Sequence, residues 1–372
     1  MAQHSAQQEV IEVDPAVLAN RHLNDYAASG TASLSSSVNS YILENGRRYS
    51  TYFGMDRNPL PVDELEQDRL DMHHETMLQL LDHKLYLAPI ENPKTIIDIG
   101  TGTGIWAIDM ADTFPDSEVI GVDLSPIQPE WVPPNCKFEV DDAEEEWPYP
   151  DNYFDFVHLR NITQGITDWP KLMAEVYRCT KPGGWVELAE LGAIAKCDDG
   201  TMDDDNPMKI YFEHLDKALK VMGRPAGNPE TMAARLQEAG FVNLGWDEKK
   251  QPIGPWPKDP RLKNIGAMVM LNTESGGTPG FHSYGMAVFT RVLGLHTDYA
   301  DQLCAGAFNA AKNKNNHIYN MFYVCYGRKP EENEEPKEAK GKEKEEPTEP
   351  LQADKDDERD GAVDGEAKEE EQ

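Results

Sequence analysis

Residues 95–107 read TIIDIGTGTGIWA, an apolar run that meets an aspartate at 98 and then places glycines at 100, 102 and 104. The β-branched run predicts a buried strand over 95–99, and IWAIDMAD after it predicts a helix over 104–113. Glycines at alternate positions between strand and helix let the backbone pass close to something bulky. A plain turn is disfavoured by the ordered series of strand, acid, glycines and helix. A dinucleotide loop needs GxGxxG or GxGxxA directly after a strand, with an acid about 20 residues on. Counted from Gly100 the pattern fails, because Ile105 stands where the third small residue belongs. Counted from Gly102 it fits through Ala107, with Asp123 downstream, but it leaves Asp98 without a role.

An adenosine cofactor without phosphates, S-adenosylmethionine, uses the same segment differently. It needs no helix N-terminus for a pyrophosphate, but it needs bare backbone beside its amino-acid portion. It also needs a carboxylate after the second strand for its ribose hydroxyls, which Asp123 in VIGVDLS supplies, with Leu124 beside it. A carboxylate after the third strand, Asp142 in FEVDDAEEEW, would receive the adenine amino group, with Ala143 against the ring. These residues fall at the ends of successive predicted strands, where open α/β sheets bind ligands.

Around this centre, strands are predicted at 118–122, 136–140, 154–159 and 184–189, with helices at 63–83, 104–113, 126–131 and 168–180. Asp63 is the expected cap of the first helix. Pro182-Gly183-Gly184 is expected to end the last helix. A helix at 228–239, an extended stretch at 241–254 and a final aromatic strand at 317–327 predict an antiparallel pair at one sheet edge. The fold class is therefore α/β with a mostly parallel sheet. Residues 1–40 are polar and predicted to be disordered, 41–330 form the folded domain, and 331–372 form an acidic tail.

The chain has 372 residues and a formal charge of −32. Residues 331–372 hold 19 acidic and 7 basic side chains, a net of −12, which leaves −20 for the rest. Such a surface repels phosphate backbones, so no nucleic-acid substrate is expected. Five scattered cysteines without a CxxC pair predict buried free thiols in a reducing compartment, the cytoplasm or the nucleus, and no metal site. No run approaches a membrane-spanning length.

DIGTGTGIWAIDMAD, VIGVDLSPIQPEWVPPN, FDFVHLRNI and KPGGWVELAE together resemble the class I methyltransferases, and within them the fungal LaeA-like group. ENGRRY (44–49), EQDRLDMHH (66–74), WPKDP (256–260) and FTRVLG (289–294) extend the likeness over roughly residues 40–330. The resemblance implies a seven-stranded sheet with an antiparallel last strand, a helical lid from insertions at about 200–227 and 256–316, and S-adenosyl-L-methionine as cofactor. It implies a cofactor site at Asp98, Gly100, Thr101, Gly102, Gly104, Asp123, Leu124, Asp142, Ala143 and Arg160. It also brings two roles into view. One is methylation of a small-molecule acceptor in secondary metabolism. The other is regulation of metabolite gene clusters with a velvet-type protein partner.

Methyl transfer is an in-line displacement at a carbon already activated by a sulfonium, so alignment can supply most of the catalysis and no base is obligatory. No catalytic signature stands out. His158 reads as a core histidine, Glu190 as the better placed of Glu187 and Glu190 for a substrate, and Arg48 or Tyr49 as candidates for the cofactor carboxylate. Met202, Met208, Met222, Met268, Met270, Met286, Trp256, Phe281 and Tyr284 read either as the lining of an apolar acceptor pocket or as plain core.

Overall fold

The computed structural model describes residues 36–274, 280–331 and 334. Most of the two segments expected to be disordered, at the start and end of the chain, lies outside these. Ser36–Asn39 form a short 3-10 turn with Val38 buried, so ordered structure begins before residue 41. A hairpin follows, β1 (Tyr41–Glu44) and β2 (Arg47–Ser50), turned through Asn45 and Gly46 at positive φ. Sequence reading missed it, because four-residue strands carry too little alternation to register.

Helix α1 (Glu64–Leu80) starts at the expected cap. The Asp63 carboxylate accepts from the Glu66 N–H at 3.1 Å and from Arg47 through two contacts of 2.8 Å. The central sheet then builds from β3 (Thr95–Ile99), α2 (Ile105–Thr113), β4 (Glu118–Asp123), β5 (Cys136–Val140), β6 (Phe154–Arg160), α3 (Trp169–Cys179) and β7 (Thr180–Leu191). After a two-residue β8 (Lys196–Cys197) come α4 (Pro207–Val221), α5 (Pro229–Glu238) and β9 (Val242–Pro252). Then come α6 (Pro260–Glu274), α7 (Gly280–Ala287), α8 (Thr297–Lys312) and β10 (Ile318–Arg328).

The strand order is β5-β4-β3-β6-β7-β10-β9, and β8 pairs with the first residues of β10. Neighbours from β5 to β7 are parallel, and β10 runs antiparallel to both β7 and β9. The predicted edge pair is thus present, with seven long strands and one short addition. The sheet face under α3 and α5 buries Ile97, Val157, Leu172, Val176, Leu236 and their neighbours. A second core joins α1 to α4, α6, α7 and α8 through Met77, Tyr211, Leu215, Ile265, Phe281 and Phe289, forming a helical cap.

Two local expectations need correction. No helix forms at 126–131, where Pro126 and Pro129 remove backbone donors. Gln128 instead donates to the carbonyls of Gly102 (2.6 Å) and Ser125 (3.0 Å), tying that loop to the glycine turn. Pro182-Gly183-Gly184 does not sit between helix and strand. α3 stops at Cys179, and β7 begins at Thr180 with these residues as a bulge opposite Phe154–Phe156.

Candidate active site

At the C-terminal ends of β3 to β6 lies a cleft roofed by residues 58–62 and α1. All ten of the expected site residues border it except Gly104. Gly104 caps α2 at φ +81, and a Cβ there would meet the Phe138 ring at 2.2 Å. Its glycine makes room for a neighbouring side chain rather than for a ligand. Gly100 has a similar packing reason, since its Cβ would lie 2.3 Å from Ile162. Gly102, at φ +59, keeps backbone bare at the cleft itself, its nearest neighbour being Leu70 at 3.5 Å from a built Cβ.

The carboxylates divide the labour. Asp98 is buried at the end of β3, accepting from Thr101 Oγ1 and bonded to His158 Nδ1, each at 2.7 Å. It fixes the glycine turn as well as facing the cleft. His158 stacks on Trp106 with ring centres 3.7 Å apart, so it is a core histidine. Asp123 accepts from the N–H groups of Gly102 (2.8 Å) and Ser125 (3.0 Å). Burial pushes its pKa up to about 6, and the nearby Asp98 charge adds to this while the N–H bonds oppose it. Asp142 is gripped by the guanidinium of Arg57, which also pairs with Glu144 at 2.8 Å. Arg57 was invisible to sequence reading, because a lone arginine in an irregular segment carries no pattern.

Arg160 ends β6 and forms no ion pair among the described residues. Its Nη2 lies 3.0 Å from His74 Nδ1. Arginine only donates, so that Nδ1 is the lone-pair nitrogen, and the proton on Nε2 faces Asp109 at 2.9 Å. Burial lowers the Arg160 pKa, opposed by the charges of Asp98, Asp109 and Glu187. The expected alternatives for a carboxylate partner lie elsewhere. Arg48 bonds the Val62 carbonyl and Glu64, and Tyr49 packs beneath Arg291; neither borders the cleft.

His73 sits where the cleft meets a second chamber. Asn161, at φ +55, accepts the Leu191 N–H on Oδ1, so its Nδ2 must be the atom 2.9 Å from His73 Nε2. Burial first, then Arg69 and Arg160, hold His73 well below its ordinary pKa. It is therefore neutral with its proton on Nδ1. The second chamber runs under α4, α6 and α7 and shares His73, Asn161, Gln164 and Tyr284 with the cleft. Of the nine apolar candidates from the sequence, Phe281 and Tyr284 line it, while Met208 and Met286 are core. Glu187 serves structure: its Oε2 accepts the N–H groups of Leu87 (2.8 Å) and Ala88 (2.7 Å).

Residues suited to an adenosine and an amino acid thus converge on one cleft, with Arg160 as a cation lacking a carboxylate. The sheet order and the cleft define a class I methyltransferase dependent on S-adenosylmethionine. A model of the methyltransferase domain matches residues 72–244. The chain is 40% identical over 304 residues to methyltransferase pytC of Aspergillus terreus, covering 81% of this chain and 92% of that one. It is 34% identical over 303 residues to secondary metabolism regulator LAE1 of Cochliobolus heterostrophus, covering 79% and 96%. Among solved structures, phosphoethanolamine N-methyltransferase 2 of Haemonchus contortus with S-adenosyl-L-methionine is 21% identical, with a TM-score of 0.41, covering 71% of this chain and 52% of that one. The chain belongs to the LaeA-like methyltransferase family.

Proposed function

We propose that this enzyme methylates a small, largely apolar acceptor of secondary metabolism. The supporting observation is the second chamber, walled by Tyr211, Phe212, Leu215, Leu219 and Phe281 and adjoining the cofactor cleft at His73 and Asn161. In this reading Asp123 receives the ribose hydroxyls, Asp142 and Ala143 the adenine, and Arg160 the carboxylate of the methionine portion. Asp98 and Thr101 hold the turn from which Gly102 offers its backbone. The bound cofactor supplies a methyl carbon on a sulfonium. The chain's own residues orient it, exclude water and aim the acceptor at it.

Deletion of the gene with joint metabolite and transcript profiling tests the reading. Loss of one methylated product with unchanged transcripts is expected. Silencing of many gene clusters would instead favour the second role, regulation by this chain with a velvet-type protein partner; the relative LAE1 is named a secondary metabolism regulator. The two roles also differ in place, the enzyme in the cytoplasm and the regulator in the nucleus, which a fluorescent fusion reports. Among the described residues no helix is long and apolar enough to cross a membrane.

A further inference from the structure

The second chamber holds polar atoms that the fold itself leaves unused. Gln251 Oε1 and Asn272 Oδ1 are buried without a hydrogen-bond partner, on side chains that are 4% and 8% exposed, and Gln164 Oε1 is likewise unpaired. All three residues line the chamber. Native proteins rarely strand buried amides, because each costs its full desolvation. A ligand bearing hydrogen-bonding groups would satisfy them.

Charge narrows the choice of ligand. Arg69 is the cation on the wall, but Glu66 takes it at 2.7 and 3.0 Å and it lies over the Tyr284 ring. Among the described residues that line the chamber, no cation is left over for an anionic acceptor. The acid on the wall is Glu190. Its Oε1 accepts the N–H groups of Ile162 and Thr163, both at 3.1 Å, so this oxygen braces the loop that follows β6. Its Oε2 makes no hydrogen bond recorded among the described residues. Burial pushes the Glu190 pKa to about 7, opposed by its contacts with Thr163, the Ile162 N–H and the charge of Arg235 on α5. Arg69, the neutral His73, Tyr211 and Tyr284 are the other titratable side chains on the chamber wall among the described residues. Such a carboxyl group is a poised proton acceptor near neutrality rather than a fixed counter-ion.

We propose that this chamber takes the flat, uncharged, hydroxyl-bearing part of the acceptor, and that the free oxygen of Glu190 receives the hydroxyl proton. The hydroxyl oxygen gains its bond to the methyl carbon as the carbon–sulfur bond breaks. The electrons of that bond stay on sulfur, and the proton ends on Glu190. The inference rests on the reading of the chain as a small-molecule methyltransferase.

The test is a titration of the full chain, loaded with S-adenosylhomocysteine, at pH 8 with three one-ring probes of matched size: 4-ethylphenol, ethylbenzene and 4-ethylbenzoate. The phenol should bind roughly tenfold more tightly than the others. Glu190→Gln should weaken the phenol about tenfold while changing ethylbenzene less than about twofold, which isolates the hydroxyl contact. Ala226→Trp, which fills the chamber from its wall, should abolish phenol binding with the affinity for S-adenosylhomocysteine intact. Equal losses for phenol and ethylbenzene in Glu190→Gln would reduce Glu190 to a loop brace and overturn the proposal. Tighter binding of the benzoate would overturn it too, as would no probe binding at all. Failure to bind S-adenosylhomocysteine in the first step would strike the methyltransferase reading instead.

Discussion

Asp123 and Arg160 carry the sharpest consequences at the scale of single residues. In the proposed site Asp123 is ionised when it accepts two ribose hydroxyls, yet burial raises its pKa to about 6. Cofactor affinity should therefore be level above pH 7 and fall about tenfold per unit below 6, as read by calorimetry between pH 5 and 8. A pH-independent affinity would remove the carboxylate from the contact. For the fold the sign is opposite. A carboxyl raised in the native state favours folding at low pH, and that contribution fades as pH climbs from the ordinary aspartate range to 6. Arg160 lies half-buried at the cleft with no ion pair among the described residues, a costly placement unless a ligand supplies a carboxylate. Arg160→Met should lower cofactor affinity by about 10- to 100-fold. It should leave the melting temperature of the unliganded protein within about 3 °C, about 1 kcal/mol at this size. A large drop in stability with unchanged affinity would make Arg160 a structural residue.

At the scale of elements, the entry to α1 shows how a cap can also orient a roof. Asp63 caps the helix, accepts both nitrogens of Arg47 and receives the Arg48 N–H at 3.1 Å, just after the 58–62 segment that borders the cleft. Burial acts to raise its pKa, but these bonds outweigh that and hold it low. Its contribution to stability is thus present above the ordinary aspartate range and lost in acid. Asp63→Ala removes a cap worth about 1 kcal/mol and strips a buried arginine of its nearest carboxylate. A fall of roughly 5–10 °C in melting temperature is expected, whereas a fall under about 2 °C would mean that Glu66, 3.6 Å from Arg47, replaces it. The helix start was legible because Asp63 precedes a run of helical spacing. The strands β3, β4, β6 and β7 were legible because their centres are apolar and buried, and the edge strand β5 because Cys136, Phe138 and Val140 alternate with Lys137 and Glu139. The hairpin and the arrangement of residues 124–134 were not, since short strands and proline-rich turns are set by what they pack against. Gln128 reaching the Gly102 carbonyl is such a case.

For the whole molecule, sequence order gave the cleft and tertiary structure gave the chamber. Asp98, Asp123 and Asp142 sit at the ends of successive strands, so a linear reading could line them up. Gly104 falls in the same motif but serves Phe138, a partner 34 positions away that no motif names. Arg57 and the chamber wall come from segments up to more than a hundred residues apart, brought together by the cap helices, and no local pattern marks them. The glycine loop alone left a nicotinamide dinucleotide and S-adenosylmethionine both standing. The sheet order, the antiparallel β10 and Arg160, which has no ion pair among the described residues, favour the methyl donor. Calorimetric titration of the full chain with S-adenosylmethionine and, separately, with NAD tests this most directly. Stoichiometric binding of S-adenosylmethionine, lost in Asp123→Ala, with no heat from NAD is the predicted result; binding of NAD with none of S-adenosylmethionine would contradict it.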